Sequence, residues 1–257
     1  KAAAAALKVS NVASGALATL AKDNIINQLM ITEDGGIPPL VELLKAKTSV
    51  HKSDSYKYPT KALWHLAANE DNQSAIAKAG GIVPLVGLLT SENEVTAQYA
   101  AAALQSLAQN NTENQIALAK AGAITPLVDL LGTDSTETQE HAVGALLSLA
   151  SQDANSRNAV VQRLVAVLDM RNAAAQMKAA EALAVLAAKS DENRKTITAA
   201  QAIEPLVRIL GDGRRVRSAT PQERAAAVLS DLARSGDNKK TIVDAGGVNP
   251  LVAMLSS

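Results

Sequence analysis

The 257-residue chain contains no cysteine and no phenylalanine, one tryptophan and three tyrosines. Without cysteine it can hold neither a disulfide framework nor a thiolate zinc or redox site. Aromatics make up only 2%, while Ala and Leu dominate a hydrophobic fraction of 47%. Such a mixture packs helices closely and suits strands poorly, because sheets favour β-branched and aromatic side chains. Net charge is missing as well, since 25 Lys and Arg balance 25 Asp and Glu. Gripping a nucleic-acid backbone requires a basic excess, so nucleic acid is disfavoured as a partner. No apolar run approaches the roughly 20 residues that cross a bilayer, which argues against a membrane role. The opening stretch from Lys1 to Leu7 is too small-residued for a secretory signal, and the chain does not begin with Met. It reads as a fragment or processed chain that starts inside a helix, from an intracellular protein of cytoplasm or nucleus.

Signs of chemistry are equally sparse. The three histidines, His51, His65 and His141, have no ligand spacing to Asp or Glu. No dinucleotide loop, Walker loop, zinc-protease helix or nucleophile elbow occurs. The sequence therefore predicts no metal, no cofactor, no small-molecule substrate and no enzyme. Asn72-Gln73-Ser74 and Asn110-Asn111-Thr112 match the glycosylation acceptor pattern, but helix capping accounts for both.

What the sequence has in abundance is self-similarity, the mark of a repeat architecture. One signature occurs six times: PLVELL from Pro39, PLVGLL from Pro84, PLVDLL from Pro126, RLVAVL from Arg163, PLVRIL from Pro205 and PLVAML from Pro250. The steps between them are 45, 42, 37, 42 and 45 residues. Proline in the first turn of a helix gives up only an N–H that had no partner. The flanking Leu residues then share one face, predicting a short buried helix.

A second signature lies between the first. Leu17, Leu63, Leu104, Leu146, Leu183 and Leu229 are each followed three residues later by Leu and then Ala, as in Leu66-Ala67 and Leu107-Ala108. Small residues precede them at helical spacing, predicting a longer helix that approaches its neighbours closely. A third signature opens each unit: Asn27, Asn72, Asn114, Asn193 and Asn238, each twelve residues before the Pro. Asn there reads as the N-cap of a short first helix. Gly35-Gly36, Gly80-Gly81, Gly122 and Gly246-Gly247 break that helix before the second begins.

Three helices in about 42 residues, with a Gly-Gly-Ile-x-Pro-Leu-Val junction and an Ala-Leu-x-x-Leu-Ala third helix, resemble the armadillo repeat. The resemblance spans essentially the whole chain and fits better than two-helix HEAT repeats, which lack the Gly turn. It implies an all-α, right-handed superhelix over 1–257 as a single array. Repeats would run about 27–68, 72–108, 114–150, 155–188 and 193–234, with partial repeats at 1–21 and 238–257. Each repeat buries its apolar face only against neighbours, which makes the array cooperative.

Two irregularities stand out. From Asn155 to Arg163 is eight residues instead of twelve, without a Gly turn or a Pro. This reads either as a fused or shortened first helix or as a hinge near 152–165. The loops Lys45–Tyr56 and Gly211–Thr220 are longer than the rest, polar and basic. The second carries Arg214, Arg215, Arg217 and Ser218, a stretch open to an anion contact or a basophilic kinase as well as to plain solvation.

The resemblance further implies that the third helices line a concave groove for an extended peptide or a partner's helix. Importin-α-like members carry a Trp and, one turn later, an Asn on each third helix. Here Thr19, His65, Ser106, Ser148, Val185 and Asp231 stand at the Asn position, and Gly15, Lys61, Ala102, Gly144, Glu181 and Ala227 at the Trp position. None matches, so a nuclear-import-type adaptor is disfavoured, and Trp64, one residue before the ladder, is expected at the groove edge.

One turn earlier lie Lys57, Gln98, Glu140 and Glu223. The candidate groove residues are thus Lys57, Lys61, His65, Gln98, Ser106, Glu140, Ser148, Glu181, Glu223 and Asp231. They form either a basic-to-acidic gradient that orients a bipolar ligand or ordinary solvated positions. Gly15, Ala102, Gly144 and Ala227 would leave room for a bulky partner. The expected function is a scaffold or adaptor for a protein or peptide. The chain starts with a third helix and ends after a second, so head-to-tail self-association, and with it a structural role in a larger assembly, is the alternative.

Overall fold

A computed structural model of the chain describes residues 2–45, 53–151, 153–211 and 221–255. Seventeen α-helices occupy most of these, and no strand occurs among them. In chain order they are α1 (Ala2–Ala21), α2 (Ile25–Glu33), α3 (Ile37–Lys45), α4 (Lys57–Leu66), α5 (Glu70–Lys78), α6 (Ile82–Leu88), α7 (Glu94–Ala108), α8 (Thr112–Lys120) and α9 (Ile124–Asp129). Then follow α10 (Thr136–Ala150), α11 (Ala154–Leu168), α12 (Ala173–Lys189), α13 (Asp191–Ala199), α14 (Ile203–Gly211), α15 (Pro221–Leu232), α16 (Gly236–Asp244) and α17 (Val248–Met254). A 3-10 turn, Ser53–Tyr56, leads into α4. The rest of the long loop between Lys45 and Tyr56, and all of the basic stretch with Arg214, Arg215, Arg217 and Ser218, lie outside the described residues.

The helices divide into two compact units. The first takes Lys1–Leu130 and Glu140–Leu149, the second Leu131–Gln139 and Ala150–Ser257. In the first, α1, α4, α7 and the later part of α10 are third helices, with α4 packed against both α1 and α7. In the second, α12 and α15 are third helices packed on each other. The paired leucines form the core of both. Leu63, Leu66, Leu104, Leu107, Leu146, Leu149, Leu183, Leu186, Leu229 and Leu232 are all buried to within 2% of full. Burying each such side chain contributes about 2 kcal/mol.

The Gly turns work as the sequence predicts. Gly35, Gly80, Gly122 and Gly246 have φ between 75° and 80°, and Gly36 N–H then closes on Ile31 C=O at 2.8 Å. In the repeat 193–234, where Gln201 stands in place of the turn glycine, it takes the same conformation at φ 61°.

The unit-opening asparagines need correction. The caps are three residues earlier: Asn24, Asn69 and Asn111 accept from the backbone N–H of Asn27, Asn72 and Asn114, and Ser190 from that of Asn193. The predicted caps lie inside the first turn. Asn72, Asn114, Asn193 and Asn238 are buried, and their amides donate to the third helix before them. Asn72 Nδ2 reaches Leu66 C=O at 3.1 Å and Gln28 C=O of the preceding repeat at 3.2 Å. Asn114 Nδ2 does the same to Leu107 at 2.9 Å and Gln73 at 3.4 Å. Third-helix carbonyls lose their helical partners at the C-terminus, and a buried carbonyl needs a donor.

The irregular repeat resolves as a fusion. α11 runs unbroken from Ala154 to Leu168, capped by the Asp153 carboxylate, which accepts from Asn155 and Ser156 N–H. Four residues shorter than the other repeats and without the Gly-Pro junction, this segment has no turn between its first and second helices, which become one rod. The Asp153 carboxyl lies below its ordinary range, chiefly because of the Ser156 hydrogen bonds.

Candidate functional site

The third helices of the first unit place side chains in a repeating cross-helix pattern. Counted from the first leucine of each pair, the residue at plus one meets the residue at minus five on the next third helix. Trp64 on α4 thus stacks on Tyr99 of α7, with ring centroids 5.6 Å apart. One repeat on, Gln105 Oε1 lies 2.7 Å from His141 Nδ1 of α10. Trp64 also reaches His141 edge-on at 5.5 Å, across a full intervening repeat. Side chains two repeats apart meet only where the surface curves inward, so this face of the first unit is concave. Trp64 was expected at the groove edge, yet it is half-buried at the hub of three third helices.

Lysines border this hub. Lys61 Nζ lies over the Tyr99 ring at 5.6 Å and Lys57 Nζ over the Tyr58 ring at 5.5 Å, both at cation–π range. His65 completes the row one turn later, but it is only 7% exposed and stacks on Trp64 at 4.5 Å. Its Nε2 is buried without a hydrogen-bond partner among the described residues. Burial, followed by the Lys61 charge, pushes its pKa down from the ordinary 6.5, with Lys22 adding and Asp23 opposing. As a residue for touching a partner, His65 is therefore corrected to a neutral packing residue.

The other predicted groove residues separate by unit. Gln98 and Ser106 on α7 and Ser148 on α10 are partly exposed in the first unit, and Glu140 on α10 is exposed. Ser148 Oγ donates to Gly144 C=O at 3.1 Å. Glu181 on α12 and Glu223 and Asp231 on α15 belong to the second unit. There Glu181 pairs with Lys178 at 3.4 Å and Asp231 with Arg234 at 3.8 Å.

The small floor residues do not all leave room. A Cβ on Gly15 would meet the Tyr58 ring at 3.3 Å, and one on Gly144 would meet the Gln105 side chain. Ala102 is 1% exposed. The chain's own side chains fill these positions, and of the four only Ala227 is open to solvent.

Residues 2–257 match the family model of the plant U-box protein armadillo-repeat region. The chain belongs to that family. No curated protein matches it. Among solved structures it resembles a designed armadillo repeat protein in complex with the peptide (KR)4, at 26% identity, TM-score 0.65, covering 86% of this chain and 92% of that one. An engineered protein matches at 33% identity and TM-score 0.63, covering 87% and 90%. A computationally designed armadillo protein for modular peptide recognition matches at 27% identity and TM-score 0.61, covering 86% and 92%. Armadillo repeats are typically protein-binding scaffolds rather than catalysts, and this chain has that fold.

Proposed function

We propose that the third-helix face of the first unit holds a protein or peptide partner in extended form. The contact of Trp64 with both Tyr99 and His141 carries this reading, because it makes the face concave and gives it an aromatic hub. Around that hub Gln98, Ser106, Ser148 and Glu140 stay at least partly exposed, ready for polar contacts along a backbone. An aromatic centre inside a polar surround is the usual anatomy of a binding surface. The designed relative that carries (KR)4 supports a peptide as the type of occupant.

A photo-crosslinker tests this reading. Placed at Gln98 it should label the partner, whereas at Val83 on α6, which is 70% exposed, it should not. Equal labelling at both positions sinks the assignment.

A further inference from the structure

We propose that the α4 row of Lys57 and Lys61 binds an anionic stretch of peptide, a run of carboxylates or phosphorylated side chains. The first unit would thus select a ligand opposite in charge to (KR)4. The proposal rests on the groove reading above and adds the chemistry of its occupant.

Lys57 and Lys61 are set apart from most partly buried cations of the chain. Lys178 holds Glu181 at 3.4 Å, Arg194 holds Asp191 at 3.3 Å and Arg157 holds Glu192 at 3.3 Å. Lys57 and Lys61 have no carboxylate within ion-pair range among the described residues, and each instead rests on a tyrosine ring. A ring holds the aliphatic stem and one side of the ammonium while its other donors stay available.

The two lysines stand one helical turn apart on the same face of α4, Lys61 leaning over Tyr99 at the Trp64 hub and Lys57 over Tyr58 toward α1. At the α4 side of the hub the neighbouring charges add to theirs, while Glu140 stands on the α10 side. His65, on the next turn, feels Lys61 and Lys22 as positive neighbours, with Asp23 the single opposing acid that acts on it. An entering carboxylate or phosphate would supply the missing counter-charge, whereas a Lys or Arg peptide would meet repulsion.

The test uses fluorescent octapeptides: alternating Asp and Glu, the same length with two phosphoserines, (KR)4 and a Gly/Ser control. Anisotropy titrations compare the unmodified chain with K57E/K61E and with K78E/K120E. The latter carries the same total charge change on exposed positions of α5 and α8. Binding of the acidic peptides should weaken about tenfold or more in K57E/K61E and change little in K78E/K120E. Whichever acidic peptide binds tighter identifies carboxylate or phosphate as the anion. Circular dichroism melting checks folding, with K57Q/K61Q replacing the reversal if it unfolds.

Equal weakening in both double variants, or tighter binding of (KR)4 than of the acidic peptides, overturns the proposal. A Gln98 crosslink that persists while charge reversal has no effect defeats the anion assignment alone. Loss of that crosslink specificity defeats the groove reading beneath it.

Discussion

His65 shows how one residue's place on a helix decides its chemistry. Counting from the leucine pair put it on the groove ladder, while Trp64, one residue earlier, was left at the edge. Adjacent positions differ by about 100° around a helix. Trp64 claims the concave face with its larger ring, and His65 packs behind it at 7% exposure. Its folded pKa is depressed, so the unfolded chain takes up a proton first as pH falls. The stability it contributes is complete above pH 6.5 and is lost as pH drops through its folded value. Replacement by Phe should flatten the dependence of the urea midpoint on pH between about 7.5 and 5. An unchanged slope would show that His65 titrates normally. At Gln201 a non-glycine residue sits at φ 61°. Gln201→Gly should raise the unfolding free energy by about 1 kcal/mol, measured by denaturant titration.

At the scale of the helix, the buried asparagines offer the sharpest contrast. Asn114 is 3% exposed and its amide satisfies two carbonyls. Asn155, at the nominally matching place in the sequence, is exposed near the start of α11. Asn114→Ala should cost about 2–3 kcal/mol, because two buried acceptors lose their donor, and Asn155→Ala less than about 0.5 kcal/mol. Similar costs in urea unfolding would contradict the assignment. The helices themselves were legible because Pro, Gly and Leu act locally, through φ, the missing N–H and period. The cap positions were not, since Asn suits both a cap and a buried amide and only the neighbouring repeat distinguishes them. The aromatic hub escaped for a similar reason. The offsets linking Trp64 to Tyr99 and Gln105 to His141 are present in the sequence, but their meaning depends on how adjacent third helices are staggered.

For the molecule as a whole, charge balance matters more than any single ion pair. With 25 cationic and 25 anionic side chains, no long-range repulsion holds copies apart. Ile116 on α8, 41% exposed, therefore has little to oppose its burial against another surface. Replacing it with Lys should move the second virial coefficient from static light scattering toward repulsion, most clearly at low salt. No movement would mean that this face contributes nothing to association.

The asparagine joint has a consequence for how such a chain can lengthen. Asn72 and Asn114 grip the same two backbone carbonyls of the repeat before them, one at the end of its third helix and one in its first helix, with no demand on side-chain identity there. A gene segment duplicated or excised in steps of one repeat would bring together atoms that already match. Copy number can then drift without redesign of the seam, whereas α11, which lacks this fastening, is the least interchangeable block.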